Sequence, residues 1–213
     1  MTMDIARFEK LPLMGIIRGV DVTDIGPLIE TTAEAGLETI EVAMNTPDAA
    51  KMISKIREIS KGSLIVGAGT VISKNDLDAA LGSGASFIVM PSLVEDLVKS
   101  CVEKGVPVFP GALTPREVLE AWECGAAMVK VFPSNVFGPG YMKALKGPFG
   151  KIKLMAVGGI RLETIPEYFS SGADAVAFGG GVFKKEWLEA KDFESIGKLV
   201  KQYVEAVKEA RCR

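Results

Sequence analysis

No histidine occurs anywhere in the 213 residues. That absence excludes serine–histidine and cysteine–histidine nucleophile systems, histidine-ligated metals and imidazole acid–base chemistry. Any proton transfer falls to a carboxylate, a lysine or a tyrosine. Cysteine is nearly absent too. Cys101, Cys124 and Cys212 are odd in number and lack the spacing of metal ligands. Cys101 continues the apolar stripe Val94, Leu97, Val98 and reads as a small core residue. No apolar run approaches the length of a membrane span, and the opening MTMDIARFEK has an early aspartate and no apolar core, unlike a signal peptide. Charge of one sign is also missing. The net charge is −2 with both signs dispersed, so no basic patch marks a nucleic-acid binder. These absences lead to the expectation of a cytoplasmic soluble protein with no nucleic-acid or membrane surface.

What is present is an apolar content of 48%, enough to bury a large core. After a short opening helix (Met3 to Lys10), strand and helix patterns alternate eight times. The strand candidates are Leu13–Arg18, Thr39–Ala43, Leu64–Ala68, Ser86–Met90, Pro107–Phe109, Ala127–Phe132, Ile152–Val157 and Ala175–Phe178. They are apolar on both faces, as strands of a covered parallel sheet are. Helix starts are marked by the capping boxes Ser73 to Asp76 and Thr114 to Glu117 and by Thr46-Pro47-Asp48. Helix stops are marked by Gly36, Gly84, Gly105, Gly125 and Gly172, which recur at one or two lengths of a compact strand–helix unit. Eight even units without a linker predict an α/β fold, a closed (β/α)8 TIM barrel forming one domain over residues 1–213, in preference to an open doubly wound sheet.

A barrel places chemistry at the C-terminal ends of its strands. Few charges occur inside the strands. Arg18 ends the first, Glu41 sits in the second and Lys130 in the sixth, while Lys151 and Lys153 fall at the opposite end of the seventh and are expected to be solvated. Alternation puts Met128, Lys130 and Phe132 on one strand face and Thr39, Glu41 and Ala43 on one face of another. The bulkier valines and isoleucines of the other faces would meet helices, leaving Glu41 and Lys130 inside and on opposite staves. Desolvation favours the neutral amine of such a lysine and makes it a nucleophile toward a ketone, whereas a nearby carboxylate favours the charged form. The bland alternative is a buried ion pair that only fixes the core.

Glycine supplies a second signal. The seventh strand ends in Val157-Gly158-Gly159 and the eighth in Phe178-Gly179-Gly180-Gly181. Barrels bind phosphate with the loops after these two strands, where glycine lets backbone N–H groups approach an anion; tight turns alone would also explain them. Arg18 suits either a carboxylate clamp or a structural ion pair at the rim. Gly67-Ala68-Gly69-Thr70 is too short a glycine pattern to indicate a dinucleotide. Pro91 and Pro110, which close neighbouring strands, are expected to shape the pocket.

Ile40-Glu41-Val42, Val66-Gly67-Ala68-Gly69-Thr70-Val71, Val129-Lys130-Val131-Phe132-Pro133 and Gly158-Gly159-Ile160, in this order and over nearly the whole chain, resemble the class I aldolases of the 2-keto-3-deoxy-6-phosphosugar acid and 4-hydroxy-2-oxoglutarate family. The resemblance implies a TIM barrel assembled as a homotrimer, with neither metal nor organic cofactor, that cleaves a phosphosugar acid to pyruvate and glyceraldehyde 3-phosphate. It casts Lys130 as the Schiff-base lysine and Glu41 as the general acid/base. It lines the pyruvate end with Arg18, Thr70 and Pro91, sets Phe132 beside the lysine, and gives the phosphate to Gly158, Gly159, Gly179 and Gly180. The chain departs from the gluconate-type pattern at Val157, where a threonine is usual, at Asn45 and at Gly181. Val157, Asn45 and the stretch from Phe132 to Pro139 resemble the 6-phosphogalactonate type. The epimer stays open, as do 4-hydroxy-2-oxoglutarate cleavage, a phosphosugar isomerase or epimerase on the same barrel, and a catalytically silent binding barrel.

Overall fold

The structure, a computed structural model, describes residues 2–212. Helix α1 (Ile5–Lys10) is started by Asp4, whose side chain accepts the Ala6 N–H. Strands β1 (Leu13–Ile17), β2 (Thr39–Ala43) and β3 (Ile65–Gly69) alternate with α2 (Ile25–Glu34), α3 (Ala49–Ser60) and α4 (Lys74–Gly82). Then come β4 (Ile88–Val89), α5 (Glu95–Glu103), β5 (Val108–Phe109), β6 (Gly111–Ala112) and α6 (Pro115–Glu123). The chain ends with β7 (Val129–Val131), α7 (Pro139–Lys146), β8 (Leu154–Val157), α8 (Ile165–Ser170), β9 (Ala175–Phe178), α9 (Lys185–Glu189) and α10 (Phe193–Arg211). Both expected capping boxes form, at Ser73 with Asp76 and at Thr114 with Glu117. All five expected stop glycines adopt positive φ, between 65° and 99°. Thr46 does not cap α3. Its hydroxyl accepts the Gly19 N–H at 3.1 Å, tying two strand ends together.

All neighbouring strands run parallel, in the order β5-β4-β3-β2-β1-β9-β8-β7-β6. β5 and β6 are halves of one stave interrupted at Pro110, which has no N–H to donate. Its carbonyl still accepts the Lys130 N–H at 2.9 Å, and Phe109 O accepts the Met90 N–H at 3.1 Å. The stave therefore bonds to β4 on one side and β7 on the other, and the ring closes into the expected α/β barrel. β7, β8 and β9 are its sixth, seventh and eighth staves.

Alternation along the strands separates two cores. Ile40, Val42, Val129 and Val131 pack outward against the helix layer with Ile29, Ile53 and their neighbours. Met14, Ile65, Phe87, Phe109, Met128 and Met155 fill the barrel, and Phe8 of α1 closes its bottom. Phe8 and Phe87 both meet Phe109 edge-on, at centroid distances of 6.0 and 5.7 Å. Each fully buried side chain of this kind stabilises the fold by roughly 1.5–3 kcal/mol. Lys153 is not simply solvated: its ammonium pairs with Glu9 of α1, and Arg7 of the same helix pairs with Glu38 at 3.1 Å. The bottom of the barrel is thus plugged by an apolar ring and held by ion pairs. Cys101 is fully buried, and burial pushes its thiol up to about 11, as suits a core residue.

Candidate active site

The opposite end of the barrel opens into a cleft of about 1060 Å³. Glu41 and Lys130 both line it, and both are almost wholly buried, at 1% and 5% exposure. Glu41 reaches it from β2 because β3 carries glycine where its carboxylate lies. A Cβ on Gly69 would come within 1.5 Å of Glu41 Oε1. Gly67, two residues earlier on the same face, makes equivalent room for the Phe87 ring, which a Cβ would approach to 2.4 Å. The glycines of Gly67-Ala68-Gly69-Thr70 therefore serve packing and the seating of a carboxylate.

Among the described residues no ion pair joins Glu41 to Lys130, and Glu41 Oε2 has no hydrogen-bond partner. The bland alternative of a closed internal ion pair is not what the side chains form. Burial lowers the Lys130 pKa below the ordinary lysine value; Glu41 opposes this, while Arg18 adds to it. Burial likewise raises the Glu41 pKa, against the attraction of Lys130 and Arg18. Desolvation thus outweighs the mutual attraction at both groups. The result is an amine that loses its proton more readily than a free lysine, beside a carboxyl that holds its own more firmly. The Phe132 ring, 37% exposed, stands 5.0 Å from Lys130 Nζ and forms one wall of the approach.

Arg18 lines the cleft beyond the end of β1, with its guanidinium donating to Thr70 Oγ1 at 3.2 Å. Thr70 has φ of 55°, a left-handed conformation that β-branched residues rarely adopt. It does not itself line the cleft but orients Arg18. Pro91 lines the wall after β4, where Gly111 lets the Pro91 carbonyl approach closely; Pro110 lies in the broken stave instead. Round the ring from β1 come Gly179, Gly180 and Gly181 after β9, and then Val157, Gly158 and Gly159 at the end of β8. Gly158 and Gly159 take φ of 98° and 67°. Among the described residues the N–H groups of Gly159, Gly180 and Gly181 have no protein partner. Ser134 fixes this side: its hydroxyl donates to Val131 O at 2.7 Å and accepts the Val157 N–H at 2.9 Å.

The expected catalytic and substrate-binding residues all line the cleft except Thr70, which adjoins it through Arg18, and of the two prolines expected to shape the pocket only Pro91 does so. Asn45 is exposed and lies apart from it. Sequence reasoning missed Asn135, Arg161, Lys185 and Glu189, which also line the cleft. Asn135 and Arg161 follow closely on recognised motifs, but a loop position alone does not mark either as a site residue. Lys185 and Glu189 belong to α9, a helix too short to leave a periodic signal.

A closed parallel barrel whose mouth holds a desolvated lysine, a buried carboxylate and two glycine loops defines a class of enzyme built for carbonyl chemistry on an anionic substrate. The chain belongs to the KDPG and KHG aldolase family, whose model matches residues 5–199. It is 31% identical over 199 residues to a 2-dehydro-3-deoxy-6-phosphogalactonate aldolase of Escherichia coli, covering 93% of this chain and 97% of that one. A solved structure described as native KDPGal superposes with a TM-score of 0.90 at 29% identity, over the whole of both chains. A KDPG aldolase of Legionella pneumophila, solved with pyruvate captured as a covalent carbinolamine, superposes at 0.85 with 26% identity over 92% of this chain and 95% of that one.

Proposed function

We propose that this chain is a class I aldolase that cleaves 2-keto-3-deoxy-6-phosphosugar acids to pyruvate and glyceraldehyde 3-phosphate through an imine on Lys130. The observation that carries this reading is the almost fully buried Lys130 amine, its pKa lowered by burial, in one cleft with Glu41 and two glycine loops suited to an anion. The neutral amine attacks the C2 ketone, and the carbinolamine loses water to give a protonated imine. Glu41, as carboxylate, takes the proton of the C4 hydroxyl. The C3–C4 bond then breaks, its electrons pass into the imine as an enamine, and the aldehyde leaves. Protonation of the enamine at C3 and hydrolysis release pyruvate and restore Lys130. The iminium nitrogen is the electron sink, so the scheme needs no metal or organic cofactor.

Arg18, oriented by Thr70, holds the substrate carboxylate beside Lys130, with Pro91 and Phe132 bounding the pyruvate end. Gly158, Gly159, Gly179 and Gly180 meet the phosphate with backbone N–H groups. Val157 presents an apolar wall with no hydroxyl to oppose one sugar epimer, so the gluconate and galactonate acids are both expected to be cleaved. The enzyme acts in the cytoplasm as a homotrimer. Incubation with pyruvate and borohydride is expected to add a stable adduct to Lys130 and abolish activity. A Lys130→Ala variant that cleaves at the parent rate would sink the mechanism. Turnover of the two epimers side by side reads the role of Val157.

A further inference from the structure

The loop after β9 begins with three glycines, so this stretch of the cleft offers an anion only backbone donors. The loop after β8 differs. Gly158 and Gly159 are followed by buried Ile160 and then by Arg161, which lines the same cleft. The backbone around Arg161 is pinned from two sides. Thr164 Oγ1 accepts the Arg161 N–H at 3.1 Å and donates to Arg161 O at 2.8 Å, and the Thr164 N–H also reaches Arg161 O at 2.9 Å. From below, the Tyr203 hydroxyl donates to Ile160 O at 3.2 Å. Arg161 thus projects from a rigid turn next to glycines shaped for close approach. Its side chain is exposed, and among the described residues it has no ion-pair partner. The other cation lining this part of the cleft, Lys185, stands on the exposed face of α9, 3.6 Å from Glu189.

We propose that Arg161 is a specificity-determining residue that binds the substrate phosphate from the cleft rim and separates phosphorylated from unphosphorylated 2-keto acids. This rests on the aldolase reading above and deepens it. A guanidinium presents a planar pair of donors that matches two phosphate oxygens, which the glycine N–H groups alone cannot neutralise. Arg18 follows β1 and Arg161 follows β8, two staves round the ring, and both line the cleft that holds Lys130, so a substrate with an anion at each end can meet a guanidinium at each.

The test compares Arg161→Ala and Arg161→Lys with the parent enzyme on a 6-phospho acid and on 4-hydroxy-2-oxoglutarate. Arg161→Ala is expected to lower kcat/KM for the phosphorylated acid about 10- to 100-fold, mostly through KM, as for loss of one charged hydrogen-bonding group. Cleavage of 4-hydroxy-2-oxoglutarate should be unchanged, and Arg161→Lys should recover part of the loss. Calorimetric titration with inorganic phosphate supplies a readout independent of turnover, and Arg161→Ala should weaken that binding. Equal effects on both substrates, no effect on either, or unchanged phosphate binding would each overturn the assignment. Failure of the aldolase reading is distinguishable, because the parent enzyme would then trap no imine with pyruvate.

Discussion

Glu41 and Lys130 keep their ionisable heads in the barrel without closing on each other, and that arrangement costs stability. For Glu41 the sign follows from its raised pKa. Between the ordinary value of 4.5 and its higher value in the fold, the folded state binds more protons than the unfolded one. Stability therefore falls as pH rises through that window, and the penalty persists above it. Glu41→Gln removes the titration. The variant is expected to be at least as stable as the parent, with its advantage growing as pH rises above 4.5 and then levelling off, as read by denaturant titration at several pH values. Its kcat should fall by about 10²–10⁴, the usual contribution of a positioned general acid or base. A variant whose stability advantage shrinks with rising pH would contradict this account.

At the scale of elements, the join between β7 and β8 matters most. Ser134 is buried at 3% exposure, and its one hydroxyl bonds to both strands. Ser134→Ala leaves the Val157 N–H and the Val131 carbonyl without that partner, at an expected cost of about 1–3 kcal/mol in unfolding free energy. Lys130 rides on β7 and Gly158 follows β8, so the variant should also raise KM for the phosphorylated acid while imine trapping with pyruvate persists. Equilibrium unfolding and steady-state kinetics on the same preparation check both halves of this expectation.

The elements were legible in the sequence to differing degrees. β2 and β9 were read to the residue because continuous β-branched and apolar runs end sharply there. The fifth stave was read too short, since Pro110 suggests a stop, whereas the strand resumes as Gly111–Ala112 after a single lost donor. The inward faces of Glu41 and Lys130 followed from two-residue alternation alone. Their failure to pair did not, because it depends on where Gly69 allows the carboxylate to lie. Arg161 was not recognised as a site residue because a loop arginine looks like any solvated charge until the cleft beside it is seen.

Over the whole molecule, the plug and the cleft occupy opposite ends of the barrel. α1, with Phe8 in the interior and Arg7 and Glu9 in ion pairs, seals the end where stability resides. At the open end Val136 and Phe137 are 59% and 58% exposed, and Ile72 is 56% exposed. Large apolar side chains so placed favour contact with another protein surface. In the homotrimer inferred above they would be covered by neighbouring copies, and light scattering is expected to return three times the chain mass. Val136→Asp together with Phe137→Asp should lower that mass. A parent protein that runs as a monomer at micromolar concentration would remove the trimer from the account.

The two glycines of β3 make a demand on the gene as well as on the fold. One leaves room for Phe87 and the other for the Glu41 carboxylate, so each position requires that there be no side chain at all. Every amino acid reachable from a glycine codon by a single base change carries a Cβ. At Gly67 and Gly69, then, no one-step missense mutation is conservative. Inheritance has to protect this active site at a place that contributes nothing to the reaction except empty space.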